Sequence, residues 1–285
     1  MREKILEQLG KKGEIPPLPD VLSRLSIKIN DPDCTLSDIA ALIKTEPVLA
    51  GKLTKLANSV FYGGGLDRAE DISTSIMRLG LKMVMDLAYA LQIPKMFLKT
   101  SVFNQRQFWR HSLSVAILSK TLGEKFLRQK ADRETAYLAG LMHDIGILVF
   151  CFLIPEEYAE FLKTVPTLHG FLDQMEMEKF GISHPELGAL FIRKWWNLDA
   201  SIIQAVKESH TLTTAMKAPM SCSQVVFFAN EIVNGIDIIN GLKTPVRLEK
   251  KEILSRLGMS SNELNEIVEN VKNSLEVMET ILNSK

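Results

Sequence analysis

The chain has 285 residues, 46% of them apolar and 24% charged, with 34 Lys and Arg against 34 Asp and Glu. This composition is close to the globular average, which excludes wholesale disorder, collagen-like repeats and a solvated tail, and the length suits two domains or one larger helical body. The balance is also local, with fourteen basic and twelve acidic side chains in residues 1–100 and twenty and twenty-two beyond, so no lobe is basic enough to expect a nucleic-acid partner.

The longest uninterrupted apolar run, Ile147 to Ile154, is closed by Pro155 after eight residues, whereas a membrane span needs about twenty. No membrane partner is expected. The N-terminus interleaves charges with apolar residues from Met1 to Leu9 and lacks the apolar stretch of a signal peptide. Cys34, Cys151 and Cys222 are far apart and outside any CxxC pattern, so neither a disulfide framework nor a thiolate metal site is indicated. A reducing, cytoplasmic location is expected.

Nearly all of the pattern is helical. Thr35-Leu36-Ser37-Asp38 has the form of a capping box ahead of Ile39, Leu42 and Ile43, and Pro47 suits the first turn of a helix predicted to run to Asn58, with Gly63-Gly64-Gly65 as its stop. Ser75 to Leu79 reads as a short helix stopped by Gly80, and Leu81 to Leu98 as a longer one kinked or broken at Pro94. A change of character at Lys99 to Gln105 predicts a joint.

Beyond it, Phe108, His111, Val115, Leu118 and Leu122 form a narrow apolar stripe along one helix. Asp132 is expected to cap a helix carrying Ala136, Gly140 and His143 on one face. Periodicity cannot separate helix from buried strand for Ile147 to Ile154, and helix is taken. Further helix starts fall at Pro185, Asp199, Ser221 and Ser260, the third carrying Val226 and Asn230. Ser260 with Glu263 forms a capping box before a long helix bearing Leu264, Ile267, Val271, Leu275, Met278 and Ile281. That stripe reads as packing, with oligomerisation as the lesser alternative. Trp195-Trp196 reads as packing and Asn58 as a helix-terminal side chain bonding nearby backbone.

Four of the five histidines, His111, His143, His184 and His210, fall at or beside faces expected to point inward, and His143 is followed at once by Asp144 in Gly140-Leu141-Met142-His143-Asp144-Ile145-Gly146. Imidazole and carboxylate are the ligands expected for a first-row divalent ion. Each histidine alone is more simply a hydrogen-bonded core residue; the set across four helices is what points to a site.

The segment from Trp109-Arg110-His111-Ser112 through Ala139 to Gly146 resembles the HD superfamily of metal-dependent phosphohydrolases. In the N-terminal half, Pro17-Leu18-Pro19, Asn30-Asp31-Pro32, Glu46-Pro47-Val48-Leu49, Leu56-Ala57-Asn58-Ser59, Tyr62-Gly63, Ser75-Ile76 and Leu79-Gly80 follow in order the pattern of the HDOD domain, an HD-related output module of bacterial signalling proteins. The resemblance covers roughly Ile15 to His210. It implies His111 as the first metal-ligand position and His143 with Asp144 as the second and third, while the remaining acid of that site is matched by Asn230, a neutral and weaker ligand. His184 and His210 resemble additional histidines of the HD-GYP phosphodiesterases, which cleave cyclic di-GMP. Those enzymes carry a Lys where this chain has Ile147, and a Gly-Tyr-Pro element where it has Thr211-Leu212-Thr213.

The expected fold is therefore all-α, an N-terminal helical bundle over about residues 1–103 packed on an HD-like helical subdomain over about 104–285. The resemblance implies a non-catalytic bacterial signal-transduction module acting through protein–protein interaction. Because no receiver, GGDEF or kinase segment is found, the protein partner is expected to act in trans, with cyclic di-GMP signalling components among the candidates. Two alternatives stay open: a metal-dependent phosphohydrolase acting on cyclic di-GMP or another nucleotide, and a nucleotide receptor without turnover. No cofactor is expected beyond at most one divalent transition metal ion, Fe, Mn, Zn or Ni, in a vestigial site of His111, His143, Asp144, His184 and His210. Its occupancy is expected to fall as pH drops through about 6.5, where free imidazole protonates.

Overall fold

The computed structural model describes residues 1–11, 18–63, 67–97, 103–165, 170–196, 198–212, 219–242 and 245–283. Gly64, Gly65, most of the expected joint at Lys99 to Gln105, Pro17 and Thr213 lie outside the described residues. In chain order the helices are α1 (Arg2–Gly10), α2 (Asp20–Ile29), α3 (Leu36–Lys44), α4 (Pro47–Ala57), the single turn α5 (Val60–Gly63), α6 (Ile72–Met96), α7 (Gln105–Phe126), α8 (Lys130–Met142), α9 (Ile145–Leu153), α10 (Pro155–Thr164), α11 (Leu172–Phe180), α12 (His184–Phe191), α13 (Ala200–Glu208), α14 (Cys222–Gly235), α15 (Lys250–Leu257) and α16 (Ser261–Asn283). A π-helical turn, Ile192–Trp196, extends α12. No strand occurs among the described residues, so the fold is all-α. None of these helices is singly long and apolar enough to cross a membrane.

Two compact units emerge: Met1–Pro17 with Phe97–Val271, and Leu18–Met96 with Lys272–Lys285. The division differs from the expected 1–103 and 104–285, because α1 groups with the later helices and the end of α16 with the earlier ones. Trp195 Nε1 donates to Leu9 O at 3.0 Å, and Arg2 reaches Gly181 O at 2.6 Å and Glu186 Oε1 at 2.6 Å. In the other unit the buried Lys52 donates to Ile281 O at 2.7 Å and Leu282 O at 2.8 Å, satisfying carbonyls that the end of α16 leaves open.

Within Leu18–Met96 the local signals act as read. Thr35 and Asp38 close a reciprocal capping box on α3, and Pro47 opens α4. Gly80, at φ 76° in the left-handed region, interrupts α6 as its sequence position predicted. The first segment starts at Ile72 rather than Ser75, and the second continues through Pro94 to end at Met96. Asn58 Nδ2 donates to Ala69 O at 2.9 Å while its Oδ1 accepts from Ala69 N at 2.8 Å, a two-way clasp on the chain eleven residues ahead. Arg78 braces the same turn through Ala57 O at 2.9 Å and Asp67 O at 2.5 Å.

In the larger unit the stripe Phe108, His111, Val115, Leu118 and Leu122 is at most 1% exposed and turns α7 toward α8 and α14. Gln129, not Asp132, holds the cap position of α8; the helix starts at Lys130, and Asp132 sits in its first turn, where a carboxylate favours the positive end of the dipole. The run from Ile147 is helical to Leu153 within α9, which packs on α12, and Ile154 forms its C-terminal cap. Ser221 and Gln224 close a capping box on α14, and Ser260 and Glu263 close another ahead of α16.

Candidate metal centre

The larger unit brings His111, His143, Asp144, His184 and His210 together, each from a different stretch of chain except the adjacent pair. His111 projects from the middle of α7. His143 follows the last residue of α8, and Asp144 occupies the cap position of α9 at a 42° bend between the two helices. A cap Asp ordinarily accepts from its own helix; the Asp144 carboxylate makes no such bond and turns into the cluster instead. His184 is the first residue of α12, while His210 lies two residues past the end of α13, in the turn rather than on the helix face expected for it. Gly146 allows the approach of α12: a Cβ there would fall 1.9 Å from His184 O.

Asp144 Oδ1 is 3.2 Å from His143 Nε2, 3.4 Å from His184 Nε2 and 3.0 Å from His210 Nε2, and Oδ2 is 3.7 Å from His111 Nε2. Asn240 donates to Oδ2 at 2.7 Å. Three imidazoles are fixed from behind. His111 Nδ1–H donates to Ile238 O at 2.6 Å, His143 Nδ1–H to Gly140 O at 2.8 Å, and His184 Nδ1–H to Glu176 Oε2 at 2.7 Å. Each bond sets the tautomer that leaves Nε2 for the cluster, the outer arrangement that orients metal-binding histidines. Asn230, matched by resemblance to the missing acid, stands behind His210 Nδ1 at 3.4 Å, and an amide can offer that nitrogen either a donor or an acceptor.

Burial moves these groups away from their ordinary titration range. His111 is pushed down to about 4 by burial and by the neighbouring His143, and His210 to about 4 chiefly by burial. Burial acts downward on His184 too, but Glu176 and Asp144 together raise it to about 10. Burial alone would raise Asp144; the pull of His143 and the ring nitrogens of His143, His184 and His210 gathered around its carboxylate hold it well below the usual carboxylate range. The simple loss of ligands near pH 6.5 expected from free imidazole therefore does not describe this cluster.

The cluster fits a divalent first-row ion on its own chemistry. Its imidazole and carboxylate ligand atoms form two triads, His111–His143–Asp144 and Asp144–His184–His210, each with all ligand atoms within 4.8 Å of one another. His184 Nε2 is buried and has no hydrogen-bond partner, an orphan that a metal ion displacing its proton would satisfy. Asp144 and Glu176 are 1% and 0% exposed, and among the interactions resolved around the cluster the His184 ring is the one cationic group set against both carboxylates, a charge imbalance that a metal ion would relieve.

Glu176, Tyr158 and Asn240 are the residues that reading the sequence missed. Tyr158 OH donates to Glu176 Oε1 at 2.5 Å, and Glu176 Oε2 also accepts from His184 N at 2.6 Å. Glu176 shares the buried face of α11 with Leu172, Met175 and Phe180. An acid inside an apolar stripe was the available signal.

An all-α unit that gathers four imidazoles around the carboxylate of a His-Asp step has the character of an HD-type domain. The model of the HDOD domain matches residues 15–212, and the chain belongs to that family. A crystal structure of an HDOD domain protein with unknown function from Geobacter sulfurreducens superimposes with a TM-score of 0.76 at 24% identity, covering 99% of this chain and 97% of that one. A candidate phosphohydrolase from Shewanella amazonensis gives a TM-score of 0.72 at 20% identity, with 98% of each chain covered. At these identities the likeness shows the fold. An uncharacterized protein of Treponema pallidum (strain Nichols) is 27% identical over 272 residues, 94% of this chain and 51% of that protein. The chain thus spans about half the length of the curated relative it matches.

Proposed function

We propose that the chain is a non-catalytic regulatory module of bacterial signal transduction, working in the cytoplasm by binding a protein partner and holding one divalent ion as a structural element. The observation that carries this reading is the charge of the pocket beside the cluster. The described residues lining it include Asp144, Asp173 and Glu231, with Arg247 as the one Lys or Arg among them. That guanidinium is already committed: it pairs with Asp173 and lies 4.0 Å over the Phe171 ring. Phosphoester hydrolysis needs cationic groups beyond the metal where charge develops on the phosphate, and no lysine or uncommitted arginine lines the described part of this pocket. Ile147, which stands where the related phosphodiesterases carry a lysine, is fully buried in the core.

Two measurements test the reading. Purified protein supplied with Mn, Fe or Mg is expected to show no turnover of cyclic di-GMP, cyclic mononucleotides or nucleoside triphosphates. Metal-dependent cleavage abolished by Asp144→Ala would overturn the non-catalytic assignment, and calorimetry with the same nucleotides separates a silent receptor from both. A pull-down from native extract is expected to recover a protein that rebinds the purified chain; failure to find a saturable protein partner counts against the module.

A further inference from the structure

We propose that the ion is held on the Asp144–His184–His210 side of the cluster rather than on the His111–His143 side, and that Glu176, anchored by Tyr158, is the residue that positions His184 for it. The inference rests on the metal part of the reading above and adds which triad is used and what sets its affinity.

Three independent observations favour that side. The first is access: the pocket is lined by Asp144, His184 and His210, whereas neither His111 nor His143 lines it. The His210 side chain is 15% exposed, against 1% for His111 and 0% for His143. An ion arriving from solvent meets this triad first.

The second is the state of the nitrogen atoms. His111 Nε2 and His143 Nε2 face each other at 3.2 Å, each within hydrogen-bond distance of the other. His184 Nε2 has no such partner, although it is buried and directed at Asp144 Oδ1 from 3.4 Å. The buried ring nitrogen that has no partner at all is therefore on the pocket side.

The third is the support behind each ring. His111 and His143 lean on neutral backbone carbonyls, but His184 leans on a fully buried carboxylate. Glu176 grips His184 twice, through the ring nitrogen at 2.7 Å and the backbone nitrogen at 2.6 Å, and Tyr158 OH fixes its other oxygen at 2.5 Å. A carboxylate behind an imidazole locks the ring orientation and raises its basicity as a ligand, an effect typically worth about 10–100-fold in metal affinity. Glu176 acts through His184 and is a positioning residue, not a ligand.

The test is a Co(II) titration of the full chain, purified without a His-tag and stripped with chelator, followed by visible absorption. One Co(II) per chain is expected. Glu176→Gln, nearly isosteric, should weaken binding by about 10–100-fold and alter the visible bands, whereas Tyr158→Phe should give a smaller loss in the same direction. His210→Gln should also weaken binding tenfold or more, and His111→Gln should change it by less than about threefold. The partly exposed His210 carries the test if the Glu176 variant does not fold, as judged by circular dichroism. Unchanged affinity in Glu176→Gln with the fold retained overturns the positioning role. Loss in His111→Gln with none in His210→Gln moves the ion to the other triad. If the native chain binds no Co(II), this inference and the metal part of the proposed function both fall, while the partner-binding part stands on the pull-down.

Discussion

Two polar nodes of this molecule are built in opposite ways. Around Asn58 the hydrogen bonds close locally: the amide clasps both polar atoms of Ala69, and Arg78 reaches Ala57 O, Asp67 O and Asn58 Oδ1. Around Asp144 the backbone and outer side chains fix the rings from behind, and at least one inward-facing nitrogen, His184 Nε2, is left without a partner. The first node is complete in itself and reads as folding; the second is completed only by something added, and reads as chemistry. A buried polar group left unmet costs free energy, so its persistence is the better pointer to a ligand.

The contrast is broken most severely at Gly146. Its added Cβ would sit 1.9 Å from His184 O and 2.9 Å from Gly188 N, both backbone atoms that cannot swing aside. Gly146→Ala is expected to cost about 3 kcal/mol or more in unfolding free energy, measured by denaturant titration, and to remove Co(II) binding in whatever folded protein remains. A variant of native stability would mean that α9 and α12 separate readily, and that the cluster is not rigidly preformed.

Next in size is the response of the metal-free protein to pH. His111 and His210, lowered to about 4, stay neutral in the folded chain while the unfolded chain takes up protons near its ordinary 6.5. Stability they confer is complete above pH 6.5 and is lost as pH falls toward 4. His184, raised to about 10, has the opposite sign: its contribution is full below 6.5 and disappears as pH rises toward 10. With chelator present, denaturation at a series of pH values should therefore give a maximum near 6.5, with losses on the order of a few kcal/mol on the acid side. A curve that is flat between pH 4 and 7 would show that these rings are not buried neutral.

Asn58→Ala tests the other node. It strands the N–H and carbonyl of the buried Ala69 and leaves Arg78 one acceptor short, for an expected cost of about 2 kcal/mol. Its resolved partners are all local, so Co(II) affinity should not change. A parallel loss of both properties would erase the distinction between a folding node and a chemical one.

What the sequence disclosed follows from how far each cause reaches along the chain. Caps at Thr35, Ser221 and Ser260 were legible because the box closes over three residues, and Gly80 because a single residue breaks the helix. The buried stripe from Phe108 to Leu122 needed only periodicity. The convergence of His111, His143, His184 and His210 was not derivable from spacing and came through resemblance to a family. Glu176, Tyr158 and Asn240 escaped because their roles lie in contacts made 8, 18 and 96 residues away, which no local pattern encodes. The swap of α1 and the end of α16 between the two units escaped for the same reason.

Asn240 carries the smallest effect. It lies past the turn that leaves α14, where Asp237 at φ 61° redirects the chain so that Ile238 O and Asn240 serve the cluster from one short segment. Its amide donates to Asp144 Oδ2 while its oxygen accepts from Leu242 N at 3.1 Å, so it ties the carboxylate to the loop. Occupying Oδ2 leaves Oδ1 as the atom shared by His143, His184 and His210, which suits one ion rather than a carboxylate bridging two. Asn240 is half-buried, so water replaces much of what Asn240→Ala removes, and a stability loss of about 1 kcal/mol is expected. Water takes over the lost donor at Oδ2 while Oδ1 keeps its contacts, so Co(II) affinity should change by less than about threefold. A tenfold fall in the titration would show instead that Asn240 aims the carboxylate, and a rise in stoichiometry to two would show that this one amide is what keeps the centre mononuclear.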